Sequence, residues 1–261
     1  MTVVTHELRQ GQKALLIWTG AIGFLLMVCV FLFPEMQSEM NAVGDVFASM
    51  GSFTAAFGMD RLNFGTLIGF YAIECGNIVG LGGALYASML GISALSKEER
   101  DGTAEFLLSH PLTRTQIITE KLAAAVLEVL AMNGMVLALS ILSMAIVGEE
   151  IPWREVLLMH LGYLLLQLEL MGICFGISAF LRRGGMGIGL GLALVMYFLN
   201  LIANMTDGAK FLKYISPFGY CEGADILANG RLDTGMVAVG GLLTAAGILA
   251  AYWQYRRKDI L

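Results

Sequence analysis

The chain has 261 residues, of which 57% are hydrophobic and 14% charged, where a water-soluble domain carries roughly 25% charged residues. So little charge cannot cover a globule of this size in water, which excludes an ordinary soluble domain and leaves the bilayer as solvent. The net charge of −5 and the absence of a basic stripe exclude nucleic acid as a natural partner.

A spanning helix needs about 20 mostly apolar residues, and six stretches qualify: Ala14–Phe33, Leu67–Leu95, Leu122–Val147, Val156–Leu181, Met186–Met205 and Met236–Tyr255. Residues 2–13 precede the first, with Val3, Val4 and Leu8 on one side and Glu7, Arg9 and Gln10 on the other, the pattern of a short interfacial helix. Pro34, Glu35 and Met36 follow the first span where a cleaved signal would carry small residues, so it reads as a retained span. The segment 34–65 carries Val46, Met50, Phe53 and Phe57 at helical spacing, a stripe that either lies on the outer leaflet or packs against the bundle.

Between the second and third spans lies Ser96–Lys121. Gly102 can end the helix that continues from the second span, and Thr103 can cap a new one over Ala104–Ser109 with Phe106 and Leu107 as its apolar anchors. Pro111 stops that helix, and Thr113 with Gln116 forms a capping box that opens the third span. A bare connection needs only a few residues; a separately capped helix is suited to receive force from a soluble partner.

The last long connection, Thr206–Gly235, contains Ser216-Pro217-Phe218 and then Cys221–Asn229, which can form a short helix reaching back into the membrane. Glycines spaced by four, among them Gly172/Gly176 and Gly185/Gly189, allow close helix approach. Cys29, Cys75 and Cys174 fall in spans and Cys221 in an outer segment, so the single exposed thiol has no disulfide partner and no CxxC pair points to a metal.

Basic residues orient the chain. The connections that include both termini hold 11 Lys and Arg and the opposite set holds 5, which places the termini in the cytoplasm. No P-loop, HExxH or GxSxG occurs, and His6, His110 and His160 are far apart, so the chain reads as non-catalytic, without a cofactor or metal of its own.

Three carboxylates, Glu74, Glu128 and Glu169, fall inside spans, where a charge costs at least ~2.5–3.5 kcal/mol. Each is either a substrate- or proton-handling group or a tie between helices, with Asn133, Gln167 and Asn200 as candidate partners. Glu74, Glu169 and Asn200 are the candidate residues of a translocation path.

The pattern Glu98-Glu99, Gly102-Thr103, Glu105, Leu107-Leu108-Ser109, Pro111, Arg114 and Lys121 resembles the cytoplasmic loop of ABC-2 type transporter permeases, the membrane subunits of ATP-binding-cassette exporters. Phe57-Gly58-Met59-Asp60, Ser216-Pro217-Phe218 and the Arg256-Arg257-Lys258-Asp259 ending fit the same family. The resemblance implies one permease domain over 1–261 in a bacterial or archaeal cell membrane, all-α, with a coupling helix at about Gly102–Ser109 seated in a separate ATPase subunit. It also implies a permease dimer, homomeric or heteromeric, with ATP and Mg held by the partner ATPase. Glu98, Glu99, Gly102, Thr103, Glu105, Phe106, Leu107 and Arg114 are then the coupling residues. The competing reading is a secondary transporter or channel that uses Glu74 or Glu169 as a proton or ion site. A self-sufficient carrier has no need of the capped cytoplasmic helix.

Overall fold

In a computed structural model the described residues, which are 3–49, 51–105, 111–182 and 185–258, form helices joined by short turns, with no strand among them. Among the described residues six helices are long and apolar enough to cross a membrane. The first, α1, runs Val3–Ser49. The short α2 (Ser52–Ala56) and a 3₁₀ turn (Met59–Arg61) follow. The second span is composite: α3 (Leu67–Cys75), a π-helical stretch (Gly76–Leu81) and α4 (Gly82–Ser93). After α5 (Lys97–Asp101) come α6 (Arg114–Val147), α7 (Trp153–Ser178) and α8 (Met186–Met205). Two 3₁₀ stretches, Asp207–Tyr214 and Pro217–Cys221, lead to α9 (Gly223–Asn229), and α10 (Thr234–Arg257) ends the fold.

The first two spans each depart from the sequence expectation. No interfacial helix separates from the first span, because nothing between Gln10 and Ala14 breaks the helix, and α1 continues through Pro34 into the segment expected to lie outside. Proline removes one backbone hydrogen bond, a loss that membrane helices tolerate. At ~1.5 Å per residue α1 is about 70 Å long, more than twice the ~30 Å of hydrocarbon. The second departure is the π stretch. Asn77 turns its amide back onto the Ile73 carbonyl (3.1 Å) and receives the Tyr197 hydroxyl on its own oxygen (2.7 Å), so the side chain ties the altered turn to α8.

The most extensive packing joins α4 to α7, α1 to α6 and α10 to α7. The core centres on the second span and α7, with Tyr71, Tyr86, Tyr163, Leu166, Leu170 and Phe175 fully buried. By contrast only 11% of the apolar stretch of α10 is buried, and Leu242 and Leu249 stand about 70% exposed. Such a surface is stable against lipid or another membrane helix, not against water.

The Gly172/Gly176 spacing does what the sequence predicts. A Cβ on Gly176 would lie 2.6 Å from the Gly247 carbonyl oxygen and 2.8 Å from its Cα, so α7 and α10 cross backbone against backbone. Backbone cannot move aside as a side chain tip can. We expect Gly176→Ala to destabilise the protein by about 1–3 kcal/mol, the usual cost of overpacking, read as a fall in its thermal midpoint in detergent. Gly187→Ala, which faces open space, should leave the midpoint unchanged.

Candidate functional site

Both chain ends, the turn after α4 and the start of α6 converge at one end of the bundle, here the terminal end. Their sequence dictates a dense network. The six residues Ser96–Asp101 place two carboxylates, Glu98 and Glu99, in the first turn of α5, where the helix dipole favours negative charge. Gly102 then closes α5 with φ +67°, a left-handed cap suited to glycine, and the Thr103 amide bonds back to the Glu98 carbonyl (2.9 Å). Ala104 and Glu105 resume helical geometry. The expected anchors Phe106 and Leu107, with Ser109, lie outside the described residues. Thr113 and Gln116 form the reciprocal capping box that starts α6.

Lys121 sits at the centre, its side chain 1% exposed. Its ammonium bonds Glu7 of α1 at 2.9 Å and Glu98 of α5. Lys97 pairs with the same Glu7 and donates to the Gln10 amide oxygen at 2.9 Å. Lys258 joins Glu99 (2.5 Å) to the Leu181 carbonyl (2.6 Å) at the end of α7. Arg114 completes the ring by donating to the carbonyls of Tyr255, Arg256 and Lys258 at 3.2, 3.3 and 2.6 Å, which satisfies the open C-terminal carbonyls of α10. One network therefore links α1, α5, α6 and the C-terminal segment.

Glu98 and Glu99, expected among the residues that couple to the ATPase, point inward onto Lys121 and Lys258. Glu105 is exposed. Beside the network a cavity of about 320 Å³ opens between α1, α4 and α6, floored by Tyr86 and Glu128.

The intramembrane carboxylates have partners other than those expected. Cys29 of α1 donates to Glu74 (3.6 Å), Tyr86 to Glu128 (2.7 Å), and Tyr220 to Glu169 (3.0 Å). Asn133 and Gln167 bond each other instead (2.7 Å), and Asn200 donates to Glu222 (3.1 Å). Each carboxylate is thus tied to a different element, and among the described residues no three His, Cys, Asp or Glu converge as metal ligands. Cys221 is buried, not exposed: Pro217–Cys221 folds in against α7, and its thiol bonds the Gly162 carbonyl (3.1 Å). Glu222, which hydropathy could not single out, is held at the far end by Asn200 and Asn204. Nearby, burial alone would push the Asp225 carboxyl up, but Lys213 at 2.9 Å and Arg61 hold it below its ordinary value.

The family described as ABC-2 family transporter protein matches residues 1–260. The chain belongs to that family. No curated protein matches its sequence. The protein is therefore a multi-pass permease of an ABC transporter, the transmembrane and non-catalytic kind of subunit, and membership implies an ABC ATPase partner and a usually dimeric arrangement. In this permease the loop that carries the family resemblance is the one that the ion network holds in place.

Removing one partner of a buried ion pair leaves a charge without compensation, at a cost of about 3–5 kcal/mol. We expect Lys121→Met to lower the thermal midpoint markedly, with Glu7 and Glu98 left facing each other. Adding Glu98→Gln alone to that variant should recover most of the loss, because Glu7 keeps Lys97 as its counterion. A Lys121→Met protein as stable as wild type would show that the network contributes nothing.

Proposed function

We propose that the permease is an exporter driven by ATP hydrolysis on a separate ATPase subunit, which docks on the segment 102–109 at the terminal end. That end lies in the cytoplasm of a bacterial or archaeal cell, and two permease copies form the path. ATP and Mg stay on the ATPase.

The observation that carries this reading is the anchoring of the loop. Its N-terminal arm is tied by Lys121 and Lys258, and its C-terminal arm is set by the Thr113 capping box. In the sequence Phe106 and Leu107 fall between these two arms, and the arms themselves lead to α1, α6 and the segment after α7, so force applied to the loop would reach all three. Large apolar residues on the water side of a membrane mark a contact surface, and such anchors dominate interface energies. Separate partners for Glu74 and Glu169 support their role as ties between helices over a shared ion site.

Two measurements test the reading. For orientation, single cysteines replacing the exposed Asp101 and Glu150 should react with an impermeant reagent only from the inside and only from the outside, respectively. Labelling from the opposite face overturns the assignment. For coupling, Phe106→Asp should weaken co-purification with the ATPase by about 30-fold or more, which corresponds to the ~2 kcal/mol of an interface anchor, and should abolish stimulation of its ATPase rate while membrane insertion is unchanged. Wild-type association and rate in that variant would place the ATPase elsewhere.

A further inference from the structure

A small cavity of about 50 Å³ lies at the far end of the bundle, beside the π stretch of the second span, between α3, α8 and the turn that precedes α9. A water-sized particle needs roughly 10–15 Å³, so the space holds about three to five. Its polar lining is Asn77, Tyr163, Tyr197, Asn200 and Glu222. π stretches within helices are frequent at functional sites.

Counting hydrogens around this cavity gives an imbalance. Tyr197 spends its hydroxyl hydrogen on Asn77. Asn200 and Asn204 both direct amide hydrogens to Oε2 of Glu222, at 3.1 and 2.8 Å, and Asn204 gives its other to the Ala56 carbonyl at 3.1 Å. Turning those amides toward the carboxylate leaves the carbonyl oxygens Oδ1 of Asn200 and Asn204 buried without a partner. The Tyr163 hydroxyl, on a side chain 1% exposed, is also without one. Arg61 makes only a long ion pair with Glu222, 3.9 Å from Oε1 through Nη2, while its Nη1 bonds Asp225 directly. Unsatisfied buried acceptors are costly and normally find a partner. Here the surplus consists of oxygens around one carboxylate, the donor set of a hard cation.

We propose that this cavity binds a small monovalent cation of the alkali class, held by the Glu222 carboxylate, the Asn200 amide oxygen and the Tyr163 hydroxyl. The ion neutralises Glu222 and pins α8 to the second span and to the turn before α9. The site is separate from the ATP-coupled loop, and its test needs no ATPase.

The test is thermal unfolding of the full-length protein in detergent, with bulky N-methylglucamine chloride replaced stepwise by NaCl or KCl at constant ionic strength. A ligand that binds only the folded state raises the midpoint as its concentration passes Kd. We expect a saturable rise of at least about 3 °C with one of the two ions. Glu222→Gln should abolish that rise, and Tyr163→Phe should move its half-saturation concentration up at least about threefold. A midpoint that is the same in all three salts overturns the proposal and assigns the cavity to ordered water. A Glu222→Gln protein that keeps the saturable rise overturns it equally. If Glu222→Gln does not fold, Tyr163→Phe decides, and an unchanged half-saturation concentration there counts against the site.

Discussion

Lys121 carries a full charge to a place where almost no water reaches it, and the arrangement of the terminal end follows from the need to neutralise that charge. Its ammonium requires two carboxylates, and they come from α1 and α5, which are 114 and 23 residues away along the chain. Meeting both demands fixes where α1 begins and where the loop after the second span turns. Lys97 then balances the second oxygen of Glu7, while Lys258 and Arg114 repeat the arrangement for Glu99 and the open end of α10. Apolar packing in a bilayer gives little preference for one helix register over another. A buried charge with named partners gives a strong one.

Inside the hydrocarbon the same demand is met by glycine. A Cβ on Gly11 would lie 2.1 Å from the Glu128 carboxylate, one on Gly240 2.0 Å from that of Glu169, and one on Gly83 2.0 Å from the Gln167 amide. Each polar side chain occupies the space that a side chain on the facing helix would otherwise fill. The glycines therefore do two things. At Gly176 and Gly247 they let backbones touch, and at Gly11, Gly83 and Gly240 they make sockets for groups that cannot face lipid.

Six spans were legible because a run of about 20 apolar residues has no other stable home. The Thr113–Gln116 cap and the Gly102 stop were legible because both rest on neighbours three to five residues away. Partner choice was not. Glu169 finds Tyr220 and Glu128 finds Tyr86, pairings across 51 and 42 residues that hydropathy does not encode. Glu7 stood out only as part of a polar face, because nothing local marks Lys121 as its counterion. The continuity of α1 through Pro34 was hidden for the opposite reason: a strong local stop signal is overridden by the helix context on both sides. Glu222 lies in a polar connection, where one more carboxylate attracts no notice until Asn200 and Asn204 are folded onto it.

The π stretch at Gly76–Leu81 has a consequence for how the second span is divided. A residue of α-helix turns about 100°, and a π turn accommodates roughly one residue more than the regular repeat. The faces of α3 and α4 are therefore out of step by about that angle. The phase of α3 aims Tyr71 at His160 (2.7 Å). The separate phase of α4 lays Gly83 and Gly91 against Gln167 and the Met171 carbonyl of α7. One continuous span thus behaves as two rods joined by a phase shifter, each free to match a different stretch of the same neighbour. An insertion or deletion of a single residue within 76–81 would be felt mainly as a rotation of one rod about its axis by about 100°, with an axial shift of only about 1.5 Å.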